Sequence, residues 1–576
     1  MNRFSPYILA ISVLCAGLLA YGFLTLPKPR PADYDGFSSA RVLEDIEVIS
    51  KVPHSVANPE ERAAVREYLA GRLEEMGGAV TLFQYDSLVG PKNRSVSYTF
   101  DAVNVMAEFA PAEPAEDPAY IMFVAHYDSR YPNHMPKVGP VEPFGAADDG
   151  YGVGVTLELV RNLLKDRQDW KQGVKVLFTD AEEVGMMGMT AAWENDRQIF
   201  DNVGLMINLE SRGTYGPVLL FETCPGNEKI HKLYSSAARY PYTYSLTTVV
   251  YEFMPNRSDF TIVKDHIPGM NFSTIADINH YHTDKDNFEN VSERSVQHYG
   301  EQILPIAEAY VMDPVYSDKD YLRADDDTTN FTIPALGFFN VSKGMYKVVN
   351  AVIFLLFALF FALEGVRGRV KAMKVFKSSC IVLFVAIGVL AFGELVAYLS
   401  ALAAGAYFKP FGVIQGVEAD NIIMLVMTIF LVVASVFLYL NSKRTVVRQK
   451  SGSMRASAAL NAAAGYSLEV LYGTLALMTL LSLVLVFTLG ENLMFLIPLA
   501  FAVLALILWR MTSLKVWLLA AIVTILLHAL SFCYDIAMAL TIGAFGAVAM
   551  LAFLDVMVLI PLADLYLMPE RVKNRS

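Results

Sequence analysis

From about residue 346 to its end the chain is a succession of apolar runs, and no other feature limits its fold as strongly. The runs lie near 347–364, 378–401, 421–441, 463–488, 492–509, 515–533 and 537–564. Each is close to the ~20 residues a helix needs to cross a bilayer. An eighth run, Tyr7 to Leu26, follows Arg3 and ends before "PKPRP". It is longer than the roughly 7–15 residues of a signal-peptide core and has no clear small-residue cleavage site, so it reads as an uncleaved signal anchor. Basic residues gather in alternate loops: Arg367 to Lys377, Lys443 to Arg455, Arg510 with Lys515, and Arg571 to Arg575. The intervening loops carry Glu418, Asp420, Glu491 and Asp535. Loops rich in Lys and Arg stay in the cytoplasm. The expectation is eight spans with both termini inside, and a globular region held outside the cytoplasm. The short loops point to the periplasmic side of a bacterial inner membrane, with an organelle lumen as the alternative.

Three segments result: an anchor over 1–29, a globular domain over 30–345, and an all-α membrane domain of about seven helices over 346–576. The lipid bilayer is therefore one partner. The formal net charge of −12 argues against a nucleic-acid partner. The cysteines are Cys15, Cys224, Cys380 and Cys533, and only Cys224 lies in the globular region. Neither a disulfide framework nor a thiolate zinc site can be built from them.

Within 30–345, solid apolar runs alternate with segments of helical periodicity. "YIMFVA" (120–125), "VKVLF" (174–178), "VGLMINL" (203–209) and "GMNFS" (269–273) read as strands. The stretches 152–166, 228–240 and 292–311, with a shorter one at "TAAWEND", read as helices. The pattern predicts an α/β domain with a mostly parallel central sheet flanked by helices. Sites in such sheets form beyond the C-terminal strand ends. His126 and Asp128 follow the first run, and Asp148 and Asp149 lie in the Gly-rich turn beyond. Glu182 and Glu183 follow the second run, Glu210 the third, and His280 and His282 the last. Singly, each has an ordinary explanation: a surface histidine, turn chemistry, or acids at a helix start. Together, imidazoles and carboxylates without thiolate suit zinc, with other divalent metals possible. Five ligands, one of them shared, suffice for two zinc ions with open positions.

His126-x-Asp128, Gly145-Ala146-x-Asp148-Asp149-Gly150, Glu182-Glu183, Asn208-Leu209-Glu210 and Tyr281-His282-Thr283 resemble, in order and spacing, the motifs of the co-catalytic zinc aminopeptidase and glutamate carboxypeptidase family. The layout resembles its membrane branch. The resemblance implies that Asp148 bridges two zinc ions. His126 and Glu210 would complete one ion, and Glu183 and His282 the other. It implies Glu182 as general base, Asp128 as the acceptor that orients His126, and Tyr281 as a hydrogen-bond donor to the tetrahedral intermediate. The implied activity is exopeptidase action on peptide substrates, of aminopeptidase type. Two departures stand out: Tyr151 occupies a position where Ser is common, and Glu210 one that is often Asp. A single-zinc glutaminyl cyclase-like acyltransferase is the alternative within the fold. A non-catalytic scaffold or transporter-associated domain is the alternative outside it. His134 and Arg212 are weaker candidates for substrate contact, and Asp259 for a buttress. Glu394, Glu469 and His528, inside apolar runs, are costly there and raise the question of a membrane role.

Overall fold

The computed structural model describes residues 4–24, 26–90, 99–135, 139–253, 256–451 and 456–569. The chain divides into two compact units. One is Thr25–Thr332 with Gly337–Lys343; the other is Met1–Leu24, Ile333–Leu336 and Gly344–Ser576.

The first unit is built on a seven-stranded sheet. Its early elements are helices α2 (Ser39–Ile49) and α3 (Pro59–Glu75), then strands β1 (Ala79–Val89), β2 (Thr99–Phe109) and β3 (Tyr120–His126). A small antiparallel pair, β4 (Asn133–Met135) and β5 (Gly139–Val141), precedes α4 (Gly150–Leu163). Then come β6 (Gly173–Thr179), α5 (Met187–Asn195), β7 (Val203–Ser211), β8 (Tyr215–Thr223) and α6 (Glu228–Ala237). The unit continues with α7 (Ser245–Phe253), α8 (Phe260–Val263), β9 (Gly269–Ala276), α9 (Glu293–Met312), and the paired β10 (Thr328–Ile333) and β11 (Gly337–Ser342).

The sheet order is β1-β2-β6-β3-β7-β9-β8. β6, β3, β7 and β9 run parallel, while β1, β2 and β8 add antiparallel edges. The expected parallel sheet is thus the centre of a mixed one. The burial pattern explains the split. Every residue of β3, β6 and β9 is buried, so both faces of these strands are covered, as in the centre of a parallel sheet. β1 is exposed at most positions, as suits an edge. Helix α4 packs along β3 and β7, and α2 packs on α4. Gly154 permits that last contact, because a Cβ there would stand 2.9 Å from Val42 Cγ1.

Helix α9 carries a buried imidazole. His298 Nδ1 accepts the Val218 N–H at 3.0 Å, and Nε2 faces the Tyr240 carbonyl at 3.2 Å. These bonds fit only the neutral ring, and burial pushes its pKa down to about 4. As pH falls below about 6.5 the unfolded chain takes up a proton that the folded ring refuses, so stability is lost, by roughly 3 kcal/mol once pH is below about 4.

The second unit contains α1 (Ser5–Leu24), α10 (Lys343–Val366), α11 (Ala372–Ala404), α12 (Asp420–Ser451), α13 (Ala456–Thr488), α14 (Leu493–Thr512), α15 (Val516–Leu540) and α16 (Phe545–Leu567). Among the described residues, seven helical runs are long and apolar enough to cross a membrane. The last, Val516–Leu567, spans 52 residues, and a 3-10 turn at Thr541–Ala544 divides it into the packed pair α15 and α16. The chain is an integral membrane protein. Phe384 and Phe487 are 79% and 84% exposed, as residues facing lipid would be. Helix α1 packs along α15, with Ala16 and Ala20 buried, so it is part of this bundle.

The polar groups inside these runs serve mostly as ties. Glu364, fully buried at the end of α10, pairs with Arg369 and with Arg510 at the end of α14, each at 2.9 Å. Glu469 meets Lys374 at 2.7 Å, Asp564 meets Lys443, and Lys515 Nζ donates to the Tyr566 carbonyl. The basic residues of the alternate loops thus cross-link helix ends. Glu394 lies against Gly546, where a Cβ would be 2.6 Å from its Oε1. His528 stacks on Phe532 with ring centres 5.4 Å apart.

A comparison of unfolding free energies between pH 7 and 4 checks the reading of His298. Wild type should lose stability more steeply than His298→Gln, by up to one proton in the slope, because glutamine can keep both hydrogen bonds without titrating.

Candidate metal centre

The four parallel strands end on one edge of the sheet, and the motif residues collect there. His126 is the last residue of β3, Glu210 is near the end of β7, Glu182 and Glu183 follow β6, and His282 follows β9. Asp148 sits in the turn before α4, whose first turn is capped by Asp149 Oδ1 accepting the Gly152 N–H at 3.0 Å. Ala181 and His282 are non-glycine residues in the left-handed region, at φ 59° each. Such backbone is costly and clusters at functional sites.

The decisive geometry is at Asp148. Its Oδ1 lies 3.3 Å from His126 Nε2 and its Oδ2 lies 3.3 Å from His282 Nε2. Glu210 Oε2 stands 3.8 Å from His126 Nε2, and Glu183 Oε1 stands 3.0 Å from His282 Nε2. Two groups result, His126–Asp148–Glu210 and Asp148–Glu183–His282, each with its donor atoms within 4.8 Å of one another. They share Asp148. All five expected ligands are brought together.

This gathering of acids is unfavourable without a cation. Burial, with neighbouring carboxylates adding, pushes Asp149, Glu182 and Glu210 well above the ordinary carboxylate range. Glu183 differs: burial would raise it, but His282 and Arg130 outweigh that and hold it well below. A divalent cation stabilises ionised carboxylates in such a place. Oxygen and imidazole donors without thiolate fit zinc.

The remaining expected residues take clear positions. His126 Nδ1 is 3.0 Å from the Asp128 carbonyl oxygen and 3.5 Å from its carboxylate. The Asp128 carboxylate accepts the N–H groups of Glu182 and Glu183, at 2.9 and 3.3 Å. It therefore holds the Glu-Glu turn as well as standing behind the histidine. Gly188 keeps that turn tight, since a Cβ there would lie 2.2 Å from the Asp180 carbonyl oxygen. The Tyr281 ring stacks on His282, with centres 3.6 Å apart. Burial raises the Tyr281 phenol, and Asp148 and Glu183 beside it raise it further. Arg212 lies within electrostatic range of Tyr281 and Tyr251. Asp259 accepts a hydrogen bond from Thr179 at the end of β6, the buttressing contact expected of it. His280 is not in either ligand group; its Nδ1 pairs with Thr214 Oγ1 at 2.7 Å. The side chain of His134 lies outside the described residues. Tyr151, where Ser is common, is fully buried. Its hydroxyl donates to the Thr214 carbonyl and accepts the Ser292 N–H, both at 2.7 Å.

Two supporting residues escaped the reading of the motifs. Asp286, buried, accepts the N–H of Ala147 at 2.7 Å and of Asp148 at 3.3 Å, fixing the turn that carries Asp148. Burial, with Asp148 nearby, pushes its pKa up to about 8. Arg130 binds Glu183, with Nη1 2.8 Å from Oε2 and 2.7 Å from the carbonyl oxygen. Their signal was position alone: Arg130 is two residues after Asp128, and Asp286 four after His282.

Residues 104–307 match the model of peptidase family M28. The globular unit carries an M28 domain. Among curated proteins, the chain is similar to endoplasmic reticulum metallopeptidase 1 of Mus musculus, 25% identical over 52% of this chain and 33% of that one. The chain thus spans about a third of that relative's length. Two solved structures from Bacteroides thetaiotaomicron also resemble the M28 unit, each with a TM-score of 0.38 over 49% of this chain and 99% of the other. One is a glutaminyl cyclase at 19% identity, the other a leucine aminopeptidase precursor at 20%.

Asp286→Ala would strand two main-chain N–H groups next to Asp148. Chemical unfolding should find the variant about 2–6 kcal/mol less stable, at ~1–3 kcal/mol for each orphaned buried donor.

Proposed function

We propose that the M28 domain, within residues 30–345, is a zinc exopeptidase of aminopeptidase type, tied to the membrane and facing away from the cytoplasm. We further propose that it holds two zinc ions. The observation that carries this reading is the division of the Asp148 carboxylate between two histidines. Asp148 would be the shared ligand, with His126 and Glu210 on one side and Glu183 and His282 on the other. Zinc supplies polarisation of the peptide carbonyl and a lowered pKa for water.

The chain's own residues do the rest. Glu182 is half-buried, beside but outside both ligand groups. Its main chain is held by Asp128, and in this reading its carboxylate takes a proton from the attacking water and returns it to the leaving amine. Tyr281 is stacked against His282, and in this reading its hydroxyl donates to the oxyanion as the carbonyl becomes tetrahedral. That bond strengthens as charge develops, so its contribution falls in the chemical step.

Elemental analysis of the full-length protein should return two zinc ions per chain. One ion would instead favour the cyclase reading, and none a scaffold. Glu182→Gln should keep both ions and lose turnover by roughly 10²–10⁴-fold, whereas Glu183→Gln should hold one ion weakly. Loss of zinc from Glu182→Gln alone would reverse the two roles.

The sidedness has its own test. A reporter fused after residue 345 should be external and one after residue 575 cytoplasmic, as the basic loops require. Cytoplasmic signal from the first fusion would contradict the arrangement.

A further inference from the structure

We propose that Arg130 is a positioning residue that sets how tightly the second ion of the site is held, by fixing which oxygen of Glu183 is offered to it. This inference rests on the two-ion reading above. Glu183 has two carboxylate oxygens with different surroundings. Oε2 is taken by Arg130 Nη1 at 2.8 Å, while Oε1 faces His282 Nε2 at 3.0 Å. The same Nη1 also binds the Glu183 carbonyl oxygen at 2.7 Å. The side chain is therefore gripped at one oxygen and its own backbone at another. The Glu183 N–H is in turn held by Asp128 Oδ2 at 3.3 Å. Glu183 is thus fixed from both sides by the segment that follows β3, which also carries His126.

The two halves of the site differ in this respect. Glu210 Oε1 is met by the neutral amide of Asn208 at 3.3 Å, whereas Glu183 Oε2 is met by a cation. A guanidinium has two competing effects on a neighbouring metal ligand. It orients the carboxylate, and partners of this kind are worth roughly 10–100-fold in metal affinity. It also withdraws charge and repels the ion. The double contact to one residue, carboxylate and carbonyl together, marks orientation as the larger effect: a cation placed only to neutralise charge has no need of the carbonyl.

The experiment is a titration of the metal-free full-length protein with zinc against a competing chromophoric chelator. It is run on wild type, Arg130→Met, Arg130→Lys and Glu183→Gln. Glu183→Gln identifies which of the two binding steps belongs to the Asp148–Glu183–His282 group. Arg130→Met should weaken that step by roughly 10–100-fold and leave the other step unchanged. Arg130→Lys, which keeps one charged donor, should recover part of the loss. Arg130→Gln replaces Arg130→Met if the latter does not fold. An unchanged or tighter second step in the charge-removing variant, with wild type binding two ions, would overturn the positioning role alone. A wild type that binds one ion would remove the two-ion reading and this inference together.

Discussion

The geometry of the site depends on one carboxylate shared between two imidazoles. Asp148 can face both His126 and His282 only if its turn is held rigidly, and the surrounding structure does that from three directions. Asp286 takes up the main-chain N–H groups of the turn. Asp149 caps the helix that leaves it. Tyr151 anchors the first turn of that helix to Thr214 and Ser292. The α/β sheet supplies the other candidate ligands from parallel strand ends, so their spacing follows from strand separation.

How much of this was legible in sequence depended on burial. β3 and β6 are covered on both faces, so they appear as apolar runs, broken in β6 only by the buried Lys175. β9 is equally buried but mixes Asn271, Ser273 and Thr274 among its apolar residues, and only its first half was legible. β1, β2 and β8 were not identified. β1 is mostly solvent-facing, and β2 interleaves Asp101, Asn104 and Glu108 with its apolar residues. Helices α2 and α3 each present a polar face and join the core by only a few residues.

The candidate ligands were legible because their chemistry is unusual where they stand: an acid or imidazole at the end of a buried strand has few ordinary reasons to be there. The residues that position them were not. Arg130 and Asp286 lie in polar loops, where arginine and aspartate are commonplace. Their importance comes from partners far along the chain, 53 residues away for Arg130 and 139 for Asp286. In the membrane unit the apolar runs disclosed the helices, but not that Glu469 is matched by Lys374.

The parallel centre of the sheet has a consequence for the order of assembly. Parallel neighbours need long crossovers, so their pairing is non-local and slow. Asp148 is made early in synthesis, yet both the histidine that faces its Oδ2 and the aspartate that secures its turn lie beyond β9. Until β9 has docked beside β7, the acids of the earlier strands face one another without their last partners. On the two-ion reading, the nascent domain passes through a state with half the candidate site open to its surroundings. Which cation it meets in the compartment where it folds then bears on what the finished protein contains.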